Sequence, residues 1–194
     1  KRLSMTLKKL ITTTLLTLIL SQLTYAQPKT GKFLHAIAGL GISTATYEDE
    51  TFGGSGFYAQ AEYVNAVTKW FGFRPYVGVI FTSPSENENF PDSKYSATSN
   101  ALMLGAKVRV CAPIPYVAPY LETGLGLSIG KFETYTPATD IKKNGVITHI
   151  PFTLGAAVGR KHLIEIAFTY YFQPSVDQYS GAAAVGVSFA LDEE

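Results

Sequence analysis

Alternation between apolar and polar residues is the feature of this sequence that most constrains its fold. The segment at residues 162–172, HLIEIAFTYYF, places Ile164, Ile166 and Phe168 in one register and Glu165 in the other. Such a period of two indicates a β-strand with one apolar face. The carboxylate of Glu165 therefore points away from that face, either into bulk water or into an enclosed interior.

The same alternation, interrupted by turn-forming residues, predicts eight strands along the chain. They span residues 33–46, 56–67, 73–82, 98–110, 118–132, 146–159, 163–173 and 180–191. The connections fall at 47–55, 68–72, 83–97, 111–117, 133–145, 160–162 and 174–179. Long and short connections alternate, so we expect the long ones to gather at one end of an antiparallel sheet.

One register of each strand is apolar, and the other register holds both the charges and the strand glycines. The charged residues of that register are Glu62, Arg74, Lys107, Arg109, Glu122 and Glu165, joined by His35 and His149. Its glycines include Gly78, Gly105, Gly124, Gly126, Gly155 and Gly186. Glycine weakens a strand unless another group approaches it closely. Inside an eight-stranded barrel, where side chains just fill the space, glycines make room for large polar residues.

This distribution predicts an all-β fold, a closed antiparallel eight-stranded transmembrane up-and-down β-barrel. An exported β-chain with an apolar outer face has to close, because hydrocarbon leaves no partner for a free backbone amide. The three acids and three bases of the inward register are expected to form a structural network in the lumen, with Lys107 and Glu122 as the first pair. Girdles at the membrane interfaces are expected from Tyr47, Phe57, Phe73, Phe81, Phe132, Tyr135, Tyr170, Phe172 and Phe189.

Residues 1–26 have the pattern of a cleavable secretory signal peptide. Lys8 and Lys9 precede an apolar run at residues 10–20, and the small Ala26 precedes Gln27. The run is shorter than the roughly 20 residues that a helix needs to span a bilayer. We therefore expect export and cleavage after Ala26, with residues 1–4 upstream of a start at Met5.

The remaining chain, residues 27–194, is predicted to be one β-barrel domain. Without the signal peptide it holds 12 basic and 15 acidic residues, so no basic surface for nucleic acid is expected. Cys111 is the only cysteine and is interpreted as a buried structural residue.

With these features the chain resembles the small eight-stranded outer-membrane β-barrel proteins of Gram-negative bacteria, which include OmpX and the membrane domain of OmpA. The resemblance covers residues 32–191 and rests on architecture. It implies a location in the outer membrane among lipid and lipopolysaccharide, folding by the barrel-assembly machinery, and both termini in the periplasm. Such barrels usually end on an aromatic residue, whereas Phe189 lies five residues before the last one here.

Some barrels of this class modify lipids, so the histidines are candidates for chemistry. His149 is predicted to point inward near the outer rim, with Tyr171, Ser175 and Asp177 on neighbouring segments. A hydrolase needs a base within hydrogen-bond reach of its nucleophile and a third group that orients the base. The lipid A deacylases of this class carry a His-x-Ser pair, but residue 151 is Pro151. We expect no catalytic residue, cofactor or metal, and a lipid-modifying hydrolase at His149 stays as an alternative.

Two acidic clusters in the predicted loops offer a further site. They consist of Glu48, Asp49 and Glu50 in the first long connection and Glu86, Glu88 and Asp92 in the second. Grouped carboxylates bind Ca²⁺ or Mg²⁺, although a solvated run of charge has the same pattern. An extracellular ligand that binds these loops is therefore an expected partner, alongside lipopolysaccharide.

The predicted function is that of a non-enzymatic outer-membrane barrel with a structural or surface-interaction role and a lumen plugged by charged side chains. A second alternative is a secreted lipocalin-like carrier of an apolar ligand, which would need aliphatic residues inside. His35 and His162 are interpreted as residues of the periplasmic rim.

Overall fold

The computed structural model of the protein describes residues 30–48, 50–84 and 95–191. Its eight strands are β1 (Gly31–Tyr47), β2 (Glu50–Ala66), β3 (Phe71–Pro84), β4 (Ser96–Cys111), β5 (Val117–Tyr135), β6 (Asp140–Val158), β7 (Ile164–Gln173) and β8 (Gln178–Ala190). Each strand pairs antiparallel with the next, and β8 pairs with β1. The predicted closed eight-stranded barrel is confirmed. The proposed signal peptide lies outside the described residues.

Two predicted loops are largely strand, which corrects the expectation for 47–55 and 133–145. β1 and β2 stay paired up to Tyr47 and Glu50, and β5 and β6 up to Tyr135 and Asp140. Glycine and polar residues in these segments suggested turns, since such residues are depleted in strands. Backbone pairing with the adjacent strand nevertheless keeps these segments extended, and only short turns remain between the strands.

The barrel has two different ends. One end, here the terminus end, holds both ends of the barrel chain and the turns at 67–70, 112–116 and 159–163. The other, the hairpin end, holds the connections after β1, β3, β5 and β7. The β5–β6 hairpin extends beyond β7, because β6 pairs with β7 only over residues 150–158. In the part of the chain that the structure describes, residues 140–149 of β6 have no β7 partner.

The two faces of the sheet differ as the alternation predicts. Large apolar side chains point outward around the whole barrel. Leu40 and Leu125, for example, are 70% and 72% exposed. No helix within the described ranges is long and apolar enough to cross a membrane. Phe132, predicted to lie in an outer girdle, is fully buried inside the barrel near the hairpin end. Its place in the inward register, opposite Ser99 of β4, accounts for this correction.

Glycines of the inward register make room for large polar side chains, as the sequence predicts. A β-carbon on Gly126 would collide with the ring of His149 and the hydroxyl of Tyr76. One on Gly155 would collide with the ring of Tyr120. These glycines thus let bulky inward residues cross the narrow lumen, where dense packing leaves little spare volume.

Candidate functional site

Six ionic side chains meet in the half of the lumen next to the terminus end. Glu122 of β5 contacts three bases: Arg74 Nη1 at 3.0 Å, Lys107 Nζ at 2.7 Å and Arg109 Nε at 2.6 Å. Arg109 lies directly opposite Glu122, and Lys107 reaches it diagonally from two residues along β4. The expected first pair, Lys107 and Glu122, therefore belongs to a larger cluster, here called the ionic network.

The other two acids complete the ionic network. Glu62 lies 2.6 Å from Lys107 Nζ and 2.7 Å from Arg74 Nε. Glu165 accepts two hydrogen bonds from Arg109, at 2.8 and 2.6 Å, and a third from the Tyr120 hydroxyl at 2.9 Å. Each carboxylate has several partners, which is what a buried charge requires. The side chain of Glu165 therefore points into the enclosed lumen and not into bulk water.

His35 belongs to this region, which corrects its expected place at the rim. It is fully buried, its Nδ1 lies 2.9 Å from Ser188 Oγ, and its Nε2 lies 3.6 Å from Glu165 Oε2. The rim expectation failed because β1 begins at Gly31 and sets His35 deeper in the barrel than its position near the predicted strand start suggested. Gly186 on the neighbouring β8 leaves room for the ring.

His149 lies in the middle of the lumen and has both ring nitrogens occupied. Tyr76 Oη lies 2.5 Å from Nε2, and Ser128 Oγ lies 2.6 Å from Nδ1. Tyr171 contacts the ring edge-on, with centroids 5.1 Å apart. Ser175 and Asp177, which were expected nearby, are instead exposed in the β7–β8 connection.

Sequence reasoning missed Ser128 as the hydroxyl partner of His149. The two residues lie on adjacent strands, β5 and β6, and only the register brings them together. Both side chains are fully buried within the barrel. The hydrogen bond between Ser128 and His149 thus joins β5 and β6 inside the lumen.

The half of the lumen next to the hairpin end contains a neutral network of hydroxyl and amide groups. Ser180 Oγ lies 2.8 Å from Ser99 Oγ and 3.4 Å from Ser43 Oγ, and Gln178 Nε2 donates to Ser99 Oγ at 2.7 Å. Phe132, which lies opposite Ser99, and Val176 are also completely buried. Among the ionic residues the structure leaves a cavity of only about 10 Å³, about the room that one water molecule needs.

The remaining candidates from the sequence lie elsewhere. Glu48 is exposed in the β1–β2 turn, while Asp49, the side chain of Glu50 and the second acidic cluster lie outside the described residues. Within the described ranges, no group of three or more His, Cys, Asp or Glu side chains could hold a metal ion. Cys111 is only partly buried, contrary to its interpretation, and its Sγ lies 3.1 Å from the Lys69 carbonyl oxygen.

Comparison with solved structures places this fold among known barrels. The structure is similar to that of Neisserial surface protein A (NspA), with a TM-score of 0.54 and 14% sequence identity over 84% of this chain and 98% of that one. It is also similar to Ail, the attachment invasion locus protein of Yersinia pestis, with a TM-score of 0.49 and 16% identity over 83% of this chain and all of that one. No family model matches the sequence. No curated protein matches it either.

The class of this protein follows from its architecture. A closed antiparallel barrel of eight strands, with an apolar outside and a polar inside, is the fold of the small outer-membrane β-barrels. The resemblance predicted from the sequence is therefore confirmed at the level of fold.

Proposed function

We propose that the protein is an integral outer-membrane β-barrel with a non-enzymatic, structural or surface-interaction role. The observation that carries the proposal is the inverted distribution of residues. Apolar side chains cover the outside of a closed barrel, while the buried ionic network crosses its lumen. This arrangement suits a hydrocarbon environment, since every strand is paired on both sides and the charges compensate one another.

The same distribution argues against the lipocalin-like carrier. A carrier needs an apolar cavity for its ligand. Here the half of the lumen next to the terminus end holds Glu62, Lys107 and Glu122. The cavity among the ionic side chains measures about 10 Å³. An outward surface as apolar as this one would also be exposed to water in a secreted protein, where it favours aggregation.

A non-enzymatic role is supported by the surroundings of His149. Its ring nitrogens contact Tyr76 and Ser128, and all three side chains are buried within the barrel. Nucleophilic catalysis needs a substrate to reach the hydroxyl, in addition to a base beside that hydroxyl. The lipid-modifying alternative therefore finds no support at this histidine.

We propose export by the signal peptide at residues 1–26, followed by folding through the barrel-assembly machinery. The terminus end would then face the periplasm, and the hairpin end would face the medium among lipopolysaccharide. Intact mass of the protein purified from its native host is expected to begin at Gln27. Retention of residues 5–26 in that protein would contradict the proposed processing.

The proposed surface role concerns the hairpin end. The β5–β6 hairpin projects beyond β7, and it carries charges of both signs, with Lys142 Nζ 2.8 Å from Glu133 Oε1. Residues 140–149 of β6 present an edge on the side of β7, where an extended segment of another protein would find free backbone groups. The acidic residues of the other connections at the hairpin end, among them Glu48, would add affinity for a basic or cation-bridged extracellular ligand.

Membrane fractionation and conductance measurements test the proposed function. We expect the protein in the outer-membrane fraction, extractable only with detergent, and with a mobility on gels that changes on heating. The refolded protein in planar bilayers should show no steady porin-like conductance, because an eight-stranded lumen is filled by side chains. A protein found in the soluble periplasmic fraction would contradict the membrane proposal, and a stable open state that passes small sugars would contradict the plugged lumen.

A further inference from the structure

The edge of β6 beyond β7 has a defined set of free backbone groups. In an antiparallel pair, residues bonded to the partner strand alternate with residues whose N–H and C=O groups point away from it. Thr136 and Thr139 exchange two bonds at the tip of the β5–β6 hairpin, at 2.8 and 3.3 Å, and Gly159 N donates to Tyr116 O at its other end, at 2.8 Å. With the observed register, both ends direct the odd-numbered residues of β6 toward β5. The even-numbered residues therefore direct their backbone groups toward the β7 side.

Five even-numbered residues lie where β6 has no neighbouring strand on that side, within the described residues. They are Asp140, Lys142, Asn144, Val146 and Thr148, and all five are exposed. Ordinary strands have about five or six residues, so the free edge at 140–149 is long enough to pair with a complete strand. An exposed edge of this kind is a template for pairing with another chain. The backbone of the edge thus offers hydrogen bonds, and the side chains beside it decide which segment fits.

Lys143 gives the inner face of this edge a positive charge. It lies opposite Phe132, whose ring is buried in the lumen, yet Lys143 itself is exposed because the hairpin projects beyond β7. On the outer face Lys142 Nζ lies 2.8 Å from Glu133 Oε1, whereas no described acid forms an ion pair with Lys143. A strand beside β6 places a side chain directly opposite Lys143, where an opposite charge stabilises and a like charge destabilises. An acidic residue fits this position.

Gly145 leaves open space two residues further along the same face. A β-carbon at this position would meet no other atom within 4 Å, and the φ angle of +116° favours glycine. In sheets, an aromatic ring on the adjacent strand covers an edge glycine of this kind. Val146, on the outer face, is 58% exposed and suits a β-branched neighbour. The edge therefore favours a segment with an aromatic residue opposite Gly145.

A second copy of the chain does not supply this strand. Barrels inserted in the same sense run their β6 strands in the same direction, so two β6 edges in one membrane do not form an antiparallel pair. The segment 140–149 also lacks an aromatic residue followed two positions later by an acidic one. The occupant that fits the edge is therefore an extended segment of a different protein at the cell surface.

We propose that the free edge of β6 binds an extended segment that carries an aromatic residue two positions before an acidic one. The segment runs antiparallel to β6, its aromatic ring covers Gly145, and its carboxylate pairs with Lys143. The residues on either side of the aromatic one face outward and exchange backbone hydrogen bonds with Val146 and Asn144. This inference rests on the proposed function, because an outer-membrane barrel turns its hairpin end to the medium.

A labelled peptide tests the backbone pairing. The full chain, refolded in detergent and checked by heat-modifiable mobility, is titrated with a fluorescent peptide of the sequence threonine-valine-phenylalanine-threonine-glutamate-threonine, and saturable binding is expected by fluorescence anisotropy. N-methylation of the valine and the middle threonine removes the two N–H groups that face β6 and should weaken binding about tenfold. The matched control carries N-methyl groups on the phenylalanine and the glutamate, whose N–H groups face away, and should bind like the parent peptide. Absence of saturable binding, or equal losses for the two methylated peptides, would overturn the proposal.

A charge exchange tests the register. Lys143→Glu should weaken binding of the parent peptide about fivefold, and a peptide with lysine in place of glutamate should recover the affinity. Lys131→Glu makes the same change of charge on β5, away from the edge, and should leave the Kd of the parent peptide unchanged. Equal effects of the two variants, or no recovery with the lysine peptide, would show that the acidic residue does not lie opposite Lys143 and would overturn the assigned site.

Asn144→Pro blocks the edge while it leaves the β5–β6 ladder intact. The N–H of Asn144 points away from β5, and proline is tolerated on edge strands where the N–H faces solvent. The variant should lose peptide binding and Asn144→Ala should retain it, with heat-modifiable mobility as the check that both fold; the methylated peptides test the same bonds without any substitution. Retained binding by Asn144→Pro would contradict the proposal. A dimer of the unmodified barrel that Asn144→Pro dissociates would assign the edge to a second copy and overturn it as well.

The two proposals can fail separately. A barrel that inserts into membranes and shows heat-modifiable mobility, yet does not distinguish the two methylated peptides, overturns only the site on the β6 edge. A chain that is soluble and not heat-modifiable overturns the proposed membrane function itself.

Discussion

The two halves of the lumen fill the same narrow space by different chemistry. Near the terminus end, three carboxylates and three cationic side chains form the ionic network, with Glu122 in contact with three bases. Near the hairpin end, hydroxyl and amide groups such as Ser99, Ser180 and Gln178 bond one another without any charge. The two halves therefore differ in how much each depends on a complete set of partners.

This difference follows from the cost of desolvation. A buried ion that loses its counter-ion stays in a medium of low dielectric constant, whereas a neutral hydroxyl loses one modest hydrogen bond. We expect the ionic half to respond strongly to single substitutions and the neutral half to respond weakly. Measurements of stability on the refolded barrel can test that contrast.

The largest effect is expected from Glu122→Gln. Removing this charge leaves Arg74, Lys107 and Arg109 short of an acid in a buried site, which should lower the free energy of unfolding by about 3–5 kcal/mol. Urea unfolding followed by Trp70 fluorescence measures the loss. A cost below that of a neutral hydroxyl deletion would contradict the asymmetry between the halves.

Leu125→Arg places a new charge on the outer face instead of the lumen. Leu125 is 72% exposed in the middle of β5, so in a membrane the variant should be destabilised by about 2–4 kcal/mol. Asn144→Arg, in the projecting part of β6, is the control and should be nearly silent. Equal tolerance of both substitutions in lipid vesicles would show that the outer face does not meet hydrocarbon.

A double-mutant cycle sharpens the description of the ionic half. Lys107→Met and Glu122→Gln together should cost less than the sum of the single losses, with a coupling of about 0.5–3 kcal/mol. The coupling is reduced by the second partner of Lys107, Glu62, which lies 2.6 Å from its Nζ. Strictly additive losses would mean that Lys107 and Glu122 do not interact in the folded barrel.

The smallest effect is expected from Ser180→Ala in the neutral half. Its hydroxyl bonds Ser99 and Ser43, and the loss of such a bond costs about 0.5–1.5 kcal/mol. The same urea titration provides the value for comparison with Glu122→Gln. A loss as large as that of the glutamate would mean that the neutral network is as sensitive as the ionic one.

Much of the fold was predictable because alternation is a local signal. Glu165 between Ile164 and Ile166 already indicates which side is enclosed, and Gly126 and Gly155 mark where that side is crowded. The strand ends were less predictable. Residues 50–55 and 140–145 were predicted to lie in loops because of their composition, yet pairing with β1 and β5 holds them in strands.

The sequence was enough to predict which residues belong to the candidate site, but not which of them contact one another. The inward register selects Arg74, Lys107 and Arg109, but the choice among three acids depends on which residues face one another across strands. Ser128 was missed for that reason, since its partner His149 lies on another strand. His35 was placed wrongly because β1 begins earlier than predicted, at Gly31.

The sequence by itself determined the strand count, the inward and outward registers and the balance of three acids with three bases inside. These properties follow from the two-residue alternation of the sequence, because side chains alternate between the two faces of any strand wherever that strand lies. Only the tertiary structure decided that Glu122 contacts three bases and that His149 lies against Ser128. Those contacts depend on closure and register, and a shift of one residue would turn every side chain of a strand to the other face.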